Sequence, residues 1–587
     1  MFDHNNTRKL EYVDQYFTPS DIVDLVILEN EFQNATPKKL TKKPPIDIDR
    51  YLDMLELTDT NSLQKAVRGI YFYCVGEFSE AIKFDFSRVE TVYWKDGLPL
   101  ILNYLPRLLA PLYEIVENPD IEPLYIEYEL RIVLNLVYLV IIQNMEKMSL
   151  SEELLASPLE SVISEIIRLS LEVPSFIPIK KLVMLYDLYL KVVLREPLEN
   201  ANRNKYLNKA LVEEMCKGEP RINNGQNQNQ IEEFYQRFIL KSQEGAKPQI
   251  FIRAIITALL ALAPQGKKNQ AAAANDSFKE WESAYLLLEL LQAENKLPAS
   301  ALAKVEVLMN GYLETKMAYE NRREPSTPTN ATGVKIVNEG ERHRIILGNS
   351  IVSLFETLLK KFGENNLFQY LYFIQLLADE KGVLVFLKFL TDGFAYLSSD
   401  RMACIYEFQG QKRDYYSLTE DSVYKTVKLT YKICRGSQEK IESNLIEYNG
   451  YFLVKKMPTF FKNSSRMIIL CNKLLRIQTK LFTKKMRQLA SNMKVVTEVF
   501  CKETNLQSLE KQRKKEALMA KMIEEFKQED IKKILNDFNN YNYLTQKIKS
   551  DEENENIDGK KNMWESVHLP EDFAQNYEEW LEENVWN

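Results

Sequence analysis

Residues 157–174 read SPLESVISEIIRLSLEVP. Ser157, Pro158 and Glu160 set out a capping box: a hydroxyl that accepts an orphan amide hydrogen, a proline whose fixed φ suits the first helical position, and a carboxylate three residues on. Leu159, Val162, Ile163, Ile166 and Ile167 then recur at the intervals that share one face of an α-helix. Pro174 closes the segment, because it has no amide hydrogen to continue the ladder. The signal recurs at Ser417-Leu418-Thr419-Glu420, ahead of SVYKTVKLTYKI with apolar side chains at Val423, Val427 and Tyr431. Clean period-2 runs of β-branched residues are few. The pattern predicts an all-α chain with twenty or more helices.

Composition agrees. The chain has 587 residues, of which 45% are hydrophobic and 11% aromatic, enough to bury a large core and too apolar for wholesale disorder. Only 18 residues are glycine. That is well under the usual ~7% and leaves few tight turns or phosphate-cradling loops. The net charge of −7 means that any anion binding must be local. Six cysteines are spread widely without a CxxC pair, as expected of reduced, buried thiols in the cytosol. The opening MFDHNNTRKLEY is polar, so no signal peptide is expected. The most apolar runs, IVLNLVYLVII (132–142) and AIITALLALA (254–263), fall short of the ~20 residues needed to span a bilayer and read as buried core helices.

Three segments break the helical pattern: KGEPRINNGQNQNQ (217–230), PQGKKNQAAAANDS (264–277) and NRREPSTPTNATGVKIVNEG (321–340). Each has loop or linker composition. The third divides the chain. The expected layout is an arm at 1–45, a helical domain at 46–318, a flexible linker at 319–340, a second helical domain at 341–549 and an acidic, Trp-containing segment at 550–587. Residues 551–587 hold twelve acids, two bases and the tryptophans Trp564, Trp580 and Trp586, which suits either a docking segment or a solvated tail. Thr327-Pro328 in the linker has the form of a Pro-directed phosphorylation site, and equally of an unmodified look-alike.

From Tyr448 to Thr497 no acid occurs, while eleven lysines and arginines do. On a helical wheel Lys473, Arg476, Lys480, Lys484, Arg487 and Lys494 fall within about 80° of one another, opposite an apolar face that includes Leu481, Met486, Leu489 and Phe500. At 4 Å a cation–anion contact is worth roughly 1 kcal/mol in water and about 4 at an effective dielectric of 20, so such a stripe calls for a counter-charge. Three partners satisfy it: acids of the same chain, an acidic protein surface, or a compact polyanion such as an inositol polyphosphate or anionic headgroups. Nucleic acid fits less well, because stacking aromatics are not interleaved with the bases.

Signatures of catalysis are missing. His4, His343 and His568 lie far apart, with no second histidine or cysteine at ligand spacing, and HExxH, GxSxG, Walker A, GxGxxG and EF-hand patterns do not occur. Asp47-Ile48-Asp49 lacks the glycine and closing glutamate that calcium needs. His343, within Arg342-His343-Arg344, reads as part of a basic helix start. No catalytic residue, metal site or required cofactor is expected.

Several stretches resemble the striatin-interacting protein (STRIP) family, which includes the fungal pheromone-arrest (Far-type) relatives. They are RGIYFYCVGEFSE (68–80), LRIVLNLVYLVI (130–141), FIPIKKLVMLYDLYLKVVL (176–194) and IFIRAIITALLALAP (250–264) in the first half. In the second they are RHRIILGNSIVSLFETLLKKF (342–362), NNLFQYLYFIQLLADEKGVLVFLKFL (365–390), LLRIQTKLFTKKMRQLASNMKVV (474–496) and LPEDFAQNYEEWLEENV (569–585). The order is collinear throughout. The resemblance implies an armadillo- or HEAT-like helical solenoid in two blocks, without catalytic activity. It implies a scaffold subunit of a striatin-interacting phosphatase and kinase (STRIPAK-like) complex, which links protein phosphatase 2A and a striatin-type subunit to a Mob-like adaptor and germinal-centre-type kinases. It also implies an inositol polyphosphate held by basic residues, and a cytoplasmic protein peripheral to endomembranes. The long acidic insertion of animal members is missing, and the Gln/Asn tract at 223–230 is peculiar to this chain. The alternative is a solenoid transport or tethering adaptor without a phosphatase link.

Overall fold

The computed structural model describes residues 4–33, 47–57, 59–75, 86–118, 123–172, 177–195, 230–240, 248–262, 270–298, 303, 305, 331–365, 367–397, 415–436, 450–460 and 465–480. The chain divides into two units, Met1–Val212 with Asn227–Glu524 and Glu213–Gln226 with Glu525–Asn587, and every described residue belongs to the first. Among the described residues there are twenty α-helices and no strand, so the fold is all-α.

The segment 157–174 forms the helix Leu159–Leu169. Leu159, Val162, Ile163, Ile166 and Ile167 are all buried, as their spacing requires. The start departs from a full capping box. Ser157 Oγ accepts the Leu159 amide hydrogen at 3.3 Å, but Glu160 does not turn back to the Ser157 backbone. Its carboxylate instead accepts hydrogen bonds from Ser164 Oγ at 3.1 Å and Tyr186 OH at 3.3 Å. The second expected start is displaced. The helix begins at Tyr415, which leaves Ser417 within the first turn.

The run at 132–142 lies in the helix Leu124–Asn144, every residue of which from Glu127 to Ile142 is buried. No helix among the described residues is long and apolar enough to cross a membrane. Neighbouring helices pack in sequence order, as Ile48–Leu55 does with Thr60–Val75 and Gly450–Phe460 with Ser465–Lys480. Distant ones pack too: Pro19–Gln33 against Gln270–Ala293, and Ile179–Val193 against Ala331–Asn365.

Helical structure extends into segments whose composition read as loop or arm. The expected arm holds the helices His4–Tyr16 and Pro19–Gln33, and the second carries Val23, Leu25, Val26 and Leu28 into the core. Residues 270–277 of the second expected loop are the start of the helix Gln270–Ala293. Residues 331–340 of the expected linker open the 35-residue helix Ala331–Asn365. Four alanines favour the helix at 270–277, whereas 331–340 holds two glycines and is helical against its own propensity; each stretch is continuous with an apolar helix that supplies the tertiary packing. Residues 217–229, Thr327-Pro328 and 550–587 lie outside the described residues.

Within Ala331–Asn365, Gly348 lets the helix Gly382–Leu397 approach closely. A Cβ at Gly348 would sit 2.5 Å from Cε2 and Cζ of Phe389.

Candidate functional site

The cationic stripe is seen over its first part. Lys473 and Arg476 lie on the helix Ser465–Lys480, whose last residue is Lys480. Met467, Leu470, Cys471, Leu474, Leu475 and Gln478 are buried on one face, while Arg466, Ile469 and Lys473 are exposed on the other. Arg476 is half-buried, and the apolar face expected from Leu481 to Phe500 lies outside the described residues. Among the described residues Lys473 makes no ion pair. Lys484, Arg487 and Lys494 lie outside the described residues.

A second concentration of charge, which the sequence reading missed, lies in the core. Thr18-Pro19-Ser20-Asp21 begins the helix Pro19–Gln33. Asp21 reaches back to accept hydrogen bonds from the Thr18 amide at 2.7 Å and the Thr18 hydroxyl at 3.1 Å. The Asp21 carboxylate also takes Lys181 Nζ at 2.7 and 2.9 Å and Asn135 Nδ2 at 2.7 Å. Burial would raise the Asp21 carboxyl, but the Lys181 ammonium and these donors outweigh burial and hold it below the ordinary carboxylate value.

One turn on, Asp24 receives Nε and Nη2 of Arg131, both at 2.8 Å. Arg131 also donates to Glu127 at 2.9 Å and Ser283 Oγ at 3.3 Å. Asp24 and Arg131 have no exposed side-chain surface. Here burial wins and raises the Asp24 carboxyl despite Arg131. Beside this tier, Arg68 binds Glu129 at 2.9 Å, and Tyr104 donates to the same carboxylate at 3.2 Å.

The groups at 342–344 are not a basic helix start. They sit eleven residues into their helix, and Arg342, His343 and Arg344 are all buried. Arg342 donates to the backbone carbonyls of Phe17, at 3.4 Å, and Asp14. It thereby ties the second half of the chain to the turn between the first two helices. Neither ring nitrogen of His343 has a hydrogen-bond partner among the described residues. Burial, together with the charges of Lys180, Arg342 and Lys181, pushes His343 well below the ordinary histidine value. Its imidazole is therefore neutral at pH 7.

These ion pairs do structural work. Among the described residues each of these carboxylates meets a donor of the protein itself: Lys181 on Asp21, Arg131 on Asp24 and Glu127, and Arg68 on Glu129. Cys74, Cys434 and Cys471 are buried, and burial pushes the Cys471 thiol up to about 12, which keeps it from acting as a thiolate. Among the described residues no cluster of His, Cys, Asp and Glu has metal-ligand geometry.

No protein-family model matches the chain, and no curated protein matches it significantly.

Proposed function

We propose that this chain is a non-catalytic scaffold subunit of a STRIPAK-like assembly. The observation that carries the reading is the collinear set of family-like segments from 68 to 585. Five of them coincide with helices of one shared core: 130–141, 176–194, 250–264, 342–362 and 365–390 fall on or across Leu124–Asn144, Ile179–Val193, Pro248–Leu262, Ala331–Asn365, Leu367–Asp379 and Gly382–Leu397.

In this reading the helices stack as an armadillo- or HEAT-like solenoid in two blocks, 46–318 and 341–549, in support of which successive helices pack in sequence order. The solenoid holds a striatin-type subunit with protein phosphatase 2A, a Mob-like adaptor and germinal-centre-type kinases. Their effective concentrations near one another then decide which substrates lose phosphate. The chemistry belongs to the partners. The cytoplasm, at the periphery of endomembranes, is the place where such an assembly works.

The stripe Lys473, Arg476, Lys480, Lys484, Arg487 and Lys494 is the surface on which this scaffold meets a polyanion or an acidic partner. The exposure of Lys473, which makes no ion pair among the described residues, supports that use. Its test is thermal: inositol hexakisphosphate should raise the melting temperature of the wild type and leave Lys480→Glu/Lys484→Glu/Arg487→Glu unmoved. No rise in the wild type removes the polyanion. A triple variant that melts lower on its own assigns the stripe to acids of the same chain.

The scaffold itself is tested by affinity purification of the tagged full chain. Phosphatase and striatin-type subunits should co-purify. Their consistent absence, with trafficking or tethering proteins in their place, would favour the adaptor.

A further inference from the structure

A cavity of about 260 Å³ lies where five helices meet: His4–Tyr16, Leu124–Asn144, Ile179–Val193, Ala331–Asn365 and Tyr415–Gly436. Its charged lining is Glu11, Asp187, Lys191, Asp421 and Lys425. Both ammonium groups are already engaged by an aspartate one turn earlier on their own helix. Lys191 Nζ is 2.5 Å from Asp187 Oδ2, and Lys425 Nζ is 2.6 Å from Asp421 Oδ2. Three carboxylates against two ammonium groups leave the wall with an excess of one negative charge.

Two lining residues hold acceptors that none of the described residues satisfies. Asp187 Oδ1 and Asn349 Oδ1 are buried without a hydrogen-bond donor. A buried acceptor left in this state is costly, and the cost is recovered by a donor brought from outside. The rest of the wall suits a short hydrocarbon stem: Met184 and Leu188 are apolar, and Tyr12 already faces one cation, with Lys191 Nζ 5.4 Å from its ring centre. The volume lies just below the usual range of ligand sites, roughly 300–1,000 Å³, and suits a compact amine.

We propose that this cavity binds a small organic cation, an alkylammonium or alkylguanidinium, which donates to Asp187 and Asn349 and lays its stem along Met184 and Leu188. Because residues from 11 and from 425 share the wall, the bound cation joins the first helix, His4–Tyr16, to Tyr415–Gly436. The proposal does not depend on the scaffold reading.

The test is titration calorimetry on the full chain with agmatine, which carries both an ammonium and a guanidinium, with a Gly-Arg-Gly peptide and with inorganic phosphate. Wild type should bind agmatine saturably at one site and should show no phosphate heat. Asp187→Asn should weaken agmatine by roughly tenfold or more, the loss of one charge-assisted hydrogen bond, and Asn349→Asp should tighten it. Asp187→Asn also loses its pair with Lys191. Asn349→Asp therefore supplies the independent reading should the first variant fail to fold. Several outcomes overturn the proposal: no saturable agmatine binding, equal affinity in wild type and Asn349→Asp, phosphate binding at the same site, or binding of the peptide without agmatine.

Discussion

Replacing Asp24 by leucine should destabilise the protein far more than replacing the whole group around it. Asp24 gives Arg131 a two-pronged acceptor at 2.8 Å on each arm, and neither side chain reaches solvent. Without Asp24 the guanidinium keeps only Glu127 and Ser283, and it cannot discharge by losing its proton. Leaving one member of a buried pair behind costs about 3–5 kcal/mol. For a unit of about 500 residues, an unfolding entropy of ~2.1 cal/mol/K per residue gives ~1 kcal/mol/K, so the melting temperature should fall by ~3–5 °C. The variant Asp24→Leu/Glu127→Leu/Arg131→Met replaces every charge by an apolar side chain and leaves no ion stranded, so it should recover most of that loss. Differential scanning calorimetry on the three proteins decides the matter. A shift below about 1 °C for Asp24→Leu, or a triple variant no more stable than the single, would refute the claim that desolvated charge dominates this site.

His343 gives a pH dependence of definite sign. Its folded value lies well below the ordinary one near 6.5, so between the two the unfolded chain carries a proton that the folded chain lacks. The stability it confers is therefore present above about pH 6.5 and lost as pH falls, at up to about 1.4 kcal/mol per pH unit. His343→Leu should flatten the decline in stability between pH 7 and 5.5, as read by denaturant midpoints, and parallel declines in the two proteins would contradict the assignment. Gly348→Ala should cost ~1–3 kcal/mol by driving a methyl group into the Phe389 ring. Phe389→Leu should relieve part of that cost in thermal melts, and strictly additive losses would show that the two sites do not touch.

The all-α class is legible in residues such as Leu159, Val162, Ile163, Ile166 and Ile167, whose spacing alone specifies which face is buried. The run at 132–142 is legible for the same reason: it is apolar on all sides, and all sides are covered. The helix Pro19–Gln33 is hidden, because its core-facing side carries Asp21 and Asp24 and so imitates a solvated face. What buries those acids is Lys181 and Arg131, far along the chain, and local periodicity contains no record of such partners. Arg342-His343-Arg344 misleads in the same way. Three basic residues suggest a surface, yet backbone carbonyls of the first interhelical turn accept the Arg342 guanidinium in the interior. The stripe is half legible: the division between Lys473 and the buried Leu474 and Leu475 follows from spacing, whereas the identity of its counter-charge does not. The cavity beside Asp187 could not be read at all, since five helices from distant parts of the chain build it.

The measurement that bears most directly on the scaffold is quantitative mass spectrometry of the complex purified through the full-length chain under native conditions. The account predicts phosphatase 2A subunits and a striatin-type protein at near-stoichiometric amounts, with phosphatase activity in the eluate that the chain alone lacks. A chain recovered by itself, or one that turns over a substrate after its partners have been stripped away, would contradict it.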